Sequence, residues 1–499
     1  MDIKEKFRNM NVEKRAYING KYVESKSRKT IEKYSSFNGM DLSGISACGK
    51  DDVEDTVKCA KNAFELGIWR KKTPEEKKNI MLKFADMLEC CREELAILDT
   101  IETSRAYQNY YYDSIPKAIG AIRYFAEGID KYYDSAIPPR EDAFATVTRC
   151  PLGVVGIITP WNDPMVVAAW KFAPALLMGN SVIIKPAEQS SLSMIRVAEI
   201  ASEAGIPKGV FNVLPGFGEE AGKALALHKE VQGIFFTGSS EVGRQIVQYS
   251  GMSNMKKVGL ECGGKSPFIV SKNCGDLKEA AKVLAENVFY NQGQICSAPS
   301  RVIIEKLVRD EFMELLKKES EKFVPGNPYE IRNNVGCIVS KNQYEKVKTY
   351  IELAKRNGAI IYQAKTVKEK PINACCIQPT IISGVENSDK VARDEIFGPV
   401  VVLLEAENIQ EAIKMANDTP YGLSGAIFTD DLNEAYYAAK GIESGLVHIN
   451  SYGEDDNMAP FGGFKESGLG KDKSLWAFDE YSQQKTVWMK FKMPSGMRG

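Results

Sequence analysis

The chain has 499 residues, too many for one ordinary hydrophobic core, so we expect two or three packed units. Its 65 Lys and Arg residues nearly balance 66 Asp and Glu residues. This balance gives no electrostatic footprint for nucleic acid or for an anionic membrane surface. The first residues lack an apolar signal segment, and no apolar run reaches the roughly 18 residues that span a bilayer.

Cysteine usage bears on the compartment. The chain has 11 cysteines, an odd number, and they form no Cys-x-x-Cys pair. This argues against a zinc site or a disulfide framework and for a reducing compartment. We therefore expect a cytoplasmic protein without a metal site.

A hairpin and helices come first along the chain. Asn19-Gly20 stands between β-prone residues over 17–23, which predicts a hairpin. Amphipathic spacing predicts helices near 52–66, 74–97 and 107–133. Alternation over 143–149, after a proline break at 137–140, predicts a short strand in an exposed arm.

From Gly153 onward, strands and helices alternate. Apolar runs predict strands over 154–158, 182–184, 210–214 and 233–236. Between and after them, helical spacing predicts helices over 166–177, 192–204, 219–227 and 241–249. This alternation predicts a parallel, doubly wound sheet, which binds ligands at the carboxyl ends of its strands.

The same pattern repeats after Glu261, which predicts a second α/β unit. Its expected strands are 268–270, 301–304 and 400–404, and its expected helices are 277–290, 310–320, 343–357 and 409–417. The tail over 485–491 alternates like a strand and, left alone, would be a sticky edge. Pairing with another subunit would cover it, so we predict a homodimer or homotetramer.

One cysteine, Cys296, stands just past a predicted helix end and among small residues, where a substrate could approach it. Asp276 can cap that helix with Glu279 three positions later. For an arbitrary cysteine, a buried structural role is the common case. The chain has only two histidines: His228 lies in a charged stretch, and His448 lies in an apolar strand, where a structural role is expected. A catalytic base is therefore expected to be a carboxylate, a lysine or a cysteine.

Polar clusters follow three predicted strands, at 159–164, 185–188 and 236–243. The glycines of the last cluster allow close backbone approach, and free helix N–H groups favour a phosphate, although an ordinary helix cap is the simpler alternative. Glu188 could bind ribose hydroxyls and would repel a 2′-phosphate, which favours NAD over NADP, unless it is plain surface. The glycine-rich stretch 216–222 departs from the dinucleotide fingerprint and is interpreted as a turn.

Taken together, seven motifs resemble the hydrolytic branch of the NAD(P)-dependent aldehyde dehydrogenase superfamily, over about 17–490. They are Pro160-Trp161-Asn162, the stretches 185–188 and 236–239, Glu261-Cys262-Gly263-Gly264-Lys265-Ser266-Pro267, and the stretches 291–296, 395–399 and 460–465. The resemblance implies an α/β fold with two doubly wound parallel-sheet domains and a small β oligomerisation arm. It implies an NAD-binding domain of 1–130 and 152–260, a catalytic domain of 261–477, and an arm of 131–151 with the C-terminal strand in 478–499.

The resemblance also implies roles for single residues. Cys296 is then the nucleophile, Glu261 the general base and Asn162 the oxyanion donor, assisted by the Cys296 backbone N–H. Lys185, Glu188 and Ser239 hold the adenosine ribose and phosphate, Glu395 the nicotinamide ribose, and Trp161 lines the cofactor pocket. The full expected NAD-binding set is Thr159, Pro160, Trp161, Lys185, Glu188, Gly218, Phe236, Gly238, Ser239, Val242, Leu260, Glu395 and Phe397. Whether Lys265 helps to form the thiolate is left open.

Some residues depart from the family pattern. Cys262 replaces a mostly aliphatic residue and either packs or is a redox liability. Asp163 replaces a residue that is usually aromatic, and the loop before Pro460 is acidic. These acids suggest a cationic or strongly polar aldehyde, such as an amino- or trimethylammonio-aldehyde. The alternative is solvated loop acids, with Asp163 paired to Lys117. The expected substrate funnel is Asp113, Lys117, Asp163, Trp170, Ile295, Ser297, Glu454, Asp455 and Phe461.

Rival functions remain at this point. An acylating relative would pass the acyl group to coenzyme A, but such relatives generally lack a base at the position of Glu261. A semialdehyde dehydrogenase would need arginines in the funnel, and none is identified there. A structural or binding protein on the same fold is disfavoured by the intact Cys296, Glu261 and Asn162.

Overall fold

The structure, a computed structural model, describes residues 3–365, 371, 373–453 and 456–492. Its helices are α1 (Ile3–Asn9), α2 (Lys50–Leu66), α3 (Pro74–Cys90), α4 (Arg92–Thr103), α5 (Tyr107–Asn109), α6 (Ile115–Gly128), α7 (Pro164–Leu177), α8 (Leu192–Ala204), α9 (Lys223–Leu227), α10 (Ser240–Met252), α11 (Leu277–Val288), α12 (Arg309–Ser320), α13 (Lys341–Arg356), α14 (Lys390–Arg393), α15 (Ile409–Asn417), α16 (Leu432–Gly441) and α17 (Ala477–Glu480).

The strands form two large sheets, an arm and two small ribbons. They are β1 (Ala16–Ile18), β2 (Lys21–Val23), β3 (Thr30–Ile31), β4 (Ile45–Ser46), β5 (Ser135–Arg140), β6 (Ala143–Pro151), β7 (Val154–Ile158), β8 (Ser181–Lys185), β9 (Phe211–Val213), β10 (Gly233–Thr237), β11 (Lys257–Glu261), β12 (Pro267–Val270), β13 (Arg301–Glu305), β14 (Ile360–Gln363), β15 (Thr380–Ser383), β16 (Val400–Ala406), β17 (Tyr421–Gly422), β18 (Ser424–Phe428), β19 (Leu446–Ile449), β20 (Phe464–Lys465), β21 (Gly468–Leu469) and β22 (Ser482–Lys490).

The first large sheet has the order β2-β1-β9-β8-β7-β10-β11-β21. Its five strands from β9 to β11 are parallel, and β7, β8 and β10 are buried along their whole length. The chain winds outward from β7 to β9 on one side and from β10 to β11 on the other. The switch point therefore lies between β7 and β10, where such sheets bind ligands.

The second large sheet has the order β14-β15-β16-β13-β12-β18-β19, and all its pairs except β14 with β15 are parallel. The expected α/β fold with two doubly wound sheets is confirmed. The short strand β21 pairs with β11 of the first sheet, although its residues fall in the expected catalytic domain. The domain boundaries stay a prediction.

Two expected helices are interrupted. The helix expected over 74–97 breaks at Cys91, whose φ of −95° and ψ of 10° lie outside the helical well. The helix expected over 107–133 contains a π-helical turn at Tyr110–Ser114, and its α-helical part ends at Gly128. Pro116 explains the wide turn, because a proline ring collides with the carbonyl four residues earlier in a regular helix. Amphipathic spacing does not detect either break.

The arm is a three-stranded antiparallel sheet in the order β22-β6-β5. The expected strands in the arm and the tail are confirmed, but the tail pairs within its own chain, with Ser482 opposite Pro151 and Lys490 opposite Ala143. The outer edge of β22 has no partner strand among the described residues. Several apolar side chains near it are exposed, including Trp488 at 54%.

A disulfide joins Cys337 and Cys376, whose Cα atoms are 4.6 Å apart, although the cysteine pattern argued against a disulfide framework. They are 39 positions apart, and only tertiary contact brings them together. Within the described ranges, no helix has the length and apolarity to cross a membrane.

Candidate active site

A strained turn presents Cys296. Helix α11 is capped as expected, with the Glu279 N–H donating to Asp276 Oδ1 at 2.9 Å, and ends at Val288 rather than at 290. Asn291, Gln292 and Gly293 then all adopt left-handed φ values of 48°, 56° and 66°. A Cβ on Gly293 would lie 2.1 Å from the Gly398 oxygen, so glycine is required there for space as well as for conformation.

Side-chain amides hold this turn. Each left-handed non-glycine residue costs about 1–2 kcal/mol, so the surroundings must fix it. Gln292 exchanges two hydrogen bonds with the backbone of Ile377, at 3.1 and 3.2 Å. Gln294 accepts from the Val339 N–H at 3.0 Å and donates to the Asn291 oxygen at 3.0 Å. The loop carrying Cys296 is therefore preorganised.

Cys296 lines a cavity of about 180 Å³ together with Asn162. All the described members of the expected funnel line the same cavity: Asp113, Lys117, Asp163, Trp170, Ile295, Ser297 and Phe461. Glu454 and Asp455 lie outside the described residues. Sequence reasoning missed further lining residues, namely Val166, Val167, Asn287, Tyr290, Ser424, Leu446, His448, Tyr452 and Gly453.

His448 is the most informative of the missed residues. Its ring lies 5.0 Å from that of Tyr452, and the Tyr452 hydroxyl donates to the Ser297 oxygen. His448 therefore packs against Tyr452, as expected for a structural histidine, but it also lines the cavity that contains Cys296. No spacing rule could have found it, because β19 reaches the cavity only through sheet pairing.

Asp163 is paired with Arg105. Its Oδ2 lies 3.2 Å from Arg105 Nη1 and accepts a hydrogen bond from the Ser114 hydroxyl at 3.2 Å. The alternative in which Asp163 pairs with Lys117 is wrong. Burial raises the pKa of the Asp163 carboxyl, and the guanidinium charge opposes that rise. Arg105 escaped the sequence analysis because it lies 58 positions before Asp163, on another element.

Asp113 is more exposed than Asp163, the other funnel acid in the part of the chain that the structure describes. Its side chain is 38% exposed, and its Oδ1 lies 2.9 Å from Lys117 Nζ, four residues later. The Tyr290 hydroxyl donates to its Oδ2 at 2.8 Å. Asp113 therefore lines the cavity while its carboxylate is hydrogen-bonded to Tyr290 and paired with Lys117.

Glu261 ends β11 and lines a small neighbouring cavity with Lys171, Lys471 and Asp472. Its Oε2 is buried and has no partner within the described part of the chain. Burial raises the pKa of its carboxyl well above the usual value, and the charge of Asp472 adds to the rise. A desolvated carboxylate of this kind is a strong base.

The segment after Glu261 contacts the thiol loop. A Cβ on Gly264 would lie 2.8 Å from the backbone oxygen of Cys296. Burial raises the pKa of Cys296 to about 12, and the charges of Glu395 and Glu261 add to the rise. Burial lowers the pKa of Lys265 itself to about 7. The raised pKa favours the thiol form of Cys296, so attack on an aldehyde requires a base that accepts the thiol proton.

A second set of polar groups follows β8 and β9, at the carboxyl edge of the first sheet and next to its switch point. Lys185 Nζ donates to the oxygens of Pro186 and Gly216, both at 2.8 Å, and to Glu188 Oε1 at 3.2 Å. The same carboxylate oxygen accepts from the Gly218 N–H at 2.7 Å. These bonds hold the Glu188 carboxylate in place at the carboxyl edge of the sheet, where it can accept hydrogen bonds from a pair of hydroxyls.

Helix α10 begins directly after β10, at the carboxyl edge of the first sheet. Ser239 caps it by accepting from the Val242 N–H at 3.3 Å, as the simple helix cap predicts, and phosphate binding at this N-terminus stays a prediction. The Thr159 and Thr237 hydroxyls, just after β7 and at the end of β10, are buried without a partner inside the described ranges. Orphaned hydroxyls, a helix N-terminus and a fixed carboxylate fit a dinucleotide.

The remaining expected cofactor residues lie on several different elements. The Trp161 and Phe397 rings meet edge to face, with centroids 5.3 Å apart. Glu395 Oε1 accepts from the Gly264 N–H at 3.3 Å, and burial raises the pKa of its carboxyl to about 7. Of the others, Pro160 follows β7, Phe236 lies in β10 and Gly238 directly follows that strand. Val242 lies in the first turn of α10, and Leu260 lies near the end of β11.

Cys262, directly after Glu261, is buried against helix α10. It is 3% exposed, and a Cβ on Gly243 of α10 would lie 2.8 Å from its sulfur, so it packs under that helix. Burial raises its pKa to about 12. Both observations support the packing interpretation over the redox one.

Comparisons with known protein families, sequences and solved structures all identify aldehyde dehydrogenases as similar to this chain. The model of the aldehyde dehydrogenase family matches residues 22–487. An aminoacetaldehyde dehydrogenase of Pseudomonas aeruginosa is 40% identical over 481 residues, 96% of each chain. The crystal structure of the aldehyde dehydrogenase KauB from Pseudomonas aeruginosa has a TM-score of 0.95 at 43% identity, covering 98% of this chain and 99% of that one. The P. syringae indole-3-acetaldehyde dehydrogenase AldA, in complex with NAD+, has a TM-score of 0.96 at 41% identity, with coverage of 98% and 99%.

Proposed function

This chain belongs to the aldehyde dehydrogenase family and oxidises aldehydes with NAD, and we propose that Cys296, Glu261 and Asn162 carry out the reaction. The observation that carries the assignment is the strained, hydrogen-bonded loop that presents Cys296 beside Asn162 in one cavity. Glu261 lines a separate cavity, but its charge contributes to the raised pKa of Cys296. The presence of a base supports hydrolysis rather than transfer to coenzyme A.

The chemistry follows from these three side chains. Glu261 removes the thiol proton, and the Cys296 sulfur attacks the aldehyde carbon. The Asn162 amide and the Cys296 backbone N–H donate to the resulting oxyanion; losing one such donor typically costs about 10²–10³ in rate. After oxidation the acyl group is a thioester on Cys296. After Glu261 has released the thiol proton to solvent, it deprotonates a water molecule, which attacks the thioester; the C–S bond breaks, the carboxylic acid leaves and the Cys296 thiol is regenerated.

NAD, when bound, supplies the hydride acceptor. We propose that Glu188 binds the adenosine ribose hydroxyls and that the N-terminus of α10 faces the pyrophosphate. Lys185 fixes Glu188 and offsets its charge. Because Glu188 is anionic and hydrogen-bonded to the Gly218 N–H, it disfavours a 2′-phosphate, and NAD is preferred to NADP.

For the substrate, we propose a polar or aminoaldehyde whose cationic end binds Asp113. Of the two funnel acids within the described residues, Asp113 is the more exposed, at 38% against 20% for Asp163, and the charge of Asp163 is balanced by the buried Arg105. A substrate ammonium would compete with Lys117 for the Asp113 carboxylate. An aminoaldehyde agrees in class with the substrate named for the P. aeruginosa relative.

We expect Asp113→Asn to lower kcat/KM for 4-aminobutanal about 10-fold relative to propanal, which corresponds to ~1.4 kcal/mol for one partly solvated charge pair. Lys117→Met should change the ratio in the opposite direction, because it removes the competing cation. The measurement is NADH absorbance at 340 nm with both aldehydes. Glu54→Gln, in the similarly spaced surface pair Glu54–Lys58 of α2, is the matched control. An unchanged ratio in both funnel variants would refute the cationic assignment and leave aldehyde oxidation itself intact.

We also propose that the arm forms a contact between subunits. The outer edge of β22 carries the exposed side chains of Val487, Trp488 and Met489, and such an edge invites pairing with another chain. We expect Trp488→Asp to shift the molar mass by light scattering to that of a smaller assembly. Tyr34→Asp, an equally exposed aromatic outside the arm, should leave the mass unchanged. A monomeric wild-type protein would contradict the proposal.

A further inference from the structure

A single buried arginine connects several parts of the active site. Arg105 is 1% exposed, and its guanidinium lies between the rings of Tyr110 and Tyr290, at 4.7 and 5.0 Å from their centroids. It follows α4, outside every motif that the sequence analysis identified. A buried guanidinium must find acceptors within the protein. Arg105 Nη1 and Nη2 do so, whereas Nε has no hydrogen-bond partner among the described residues.

The acceptors of Arg105 belong to two separate segments. Its Nη1 donates to the Asn162 backbone oxygen at 3.2 Å and pairs with Asp163 Oδ2 at 3.2 Å, both in the loop before α7. Its Nη2 donates to the Tyr290 hydroxyl at 2.5 Å, just before the left-handed turn that leads to Cys296. The Tyr290 hydroxyl in turn donates to Asp113 Oδ2.

The Asn162 oxygen has a second donor from the thiol loop. Asn291 Nδ2 donates to it at 3.3 Å, so this one carbonyl is bonded to Arg105 and to the left-handed turn. The position of Asn162 relative to Cys296 is therefore set by two bonds that meet on its own backbone. A planar guanidinium can bond several acceptors in fixed directions while stacking on aromatic rings, and an ammonium cannot do both.

We infer that Arg105 is a positioning residue: it fixes Asn162 against the loop of Cys296 and, through Tyr290, sets Asp113 in the same array. This rests on the proposed role of Asn162 as oxyanion donor. Arg105 does not touch the reacting atoms. It acts by holding the donor at the distance that the transition state requires, where a displacement of about 1 Å can cost about 10²-fold in rate.

Variants of Arg105 can distinguish the effect of its planar geometry from the effect of its charge. Arg105→Lys keeps the positive charge but loses the planar fork; we expect kcat to fall about 10²-fold, with KM for NAD unchanged. Arg105→Met leaves Asp163 without its counter-charge, and we expect a lower Tm as well as the lower kcat. In the double variant R105M/D163N the buried charge is gone, so Tm should recover while kcat stays low. NAD titration by tryptophan fluorescence counts folded sites, and kcat is expressed per site.

Arg301→Lys is the matched control. Arg301 is also fully buried, but it bonds the backbone oxygens of Met415 and Ala416 and the side chain of Asn387, away from the cavity. We expect it to lower Tm with kcat per folded site near the wild-type value. The inference is overturned if R105M/D163N recovers kcat together with Tm, or if R105K loses no more kcat than R301K. Asn162→Ala tests the oxyanion role separately: unimpaired activity there would refute the proposed role of Asn162, whatever the arginine variants show.

Discussion

Replacing Cys296 with alanine is expected to lower kcat/KM for aldehyde oxidation by about 10⁴-fold or more, because no covalent adduct can then form. The fold should survive, since the loop is held by Gln292 and Gln294 rather than by the thiol. The measurement is NADH absorbance at 340 nm, with NAD binding by fluorescence to show that the cofactor groove is intact.

Cys262→Ala is the control for this variant. Cys262 lies in the adjoining motif, but it is buried under α10 and takes no part in the proposed chemistry. We expect its activity to stay within a few-fold of wild type. Substantial aldehyde oxidation by C296A, or an equal loss in both variants, would remove Cys296 from the role of nucleophile.

The second large effect is expected for Glu261→Gln. Loss of a general base typically costs about 10²–10⁴ in rate, and here it should slow both deprotonation of the Cys296 thiol and hydrolysis of the thioester. Rapid mixing should then show slow NADH formation from the first turnover, without a fast burst of one equivalent per active site, followed by a slow steady state. Glu305→Gln is the matched control, a buried glutamate that is bonded to Ser271 and Lys272, away from the cavity. A steady state as fast as that of wild type would contradict the assignment.

The pH profile provides a second measurement on the same carboxyl. Burial and Asp472 raise the pKa of Glu261 well above its usual value, so the carboxyl is protonated over a wider acidic range than a surface glutamate. A protonated carboxyl cannot accept the proton of the thiol or of water. The wild-type rate should therefore increase as the pH rises through that raised pKa and fall as the pH drops below it. This limb should be absent from the residual steady-state rate of E261Q.

Much of this site could be predicted because its residues stand in short motifs at strand and helix ends. The helix 192–204 has its predicted bounds, and the capped helix before Cys296 begins where its Asp276 signal placed it. Carboxyl ends of parallel strands meet at one edge of a sheet, so the clusters after β7, β8 and β10 converge there. The seven motifs then connect these clusters with one family.

Other features depend on contacts between distant segments, which periodicity cannot report. Arg105 pairs with Asp163 from another element, and His448 reaches the cavity through the pairing of β19. The terminal strand finds its partner at β6 within the chain, and Cys337 meets Cys376 across a separation of 39 residues.

By itself, the amino-acid sequence determined the α/β class, and its motifs led to the proposed nucleophile, base and oxyanion donor, since local patterns encode strand ends, caps and motifs. Only the tertiary structure decided that Arg105 pairs with Asp163 and contacts the backbone of the proposed oxyanion donor. The physical reason is that the charge state and orientation of a buried group depend on the partners that packing brings within about 3 Å.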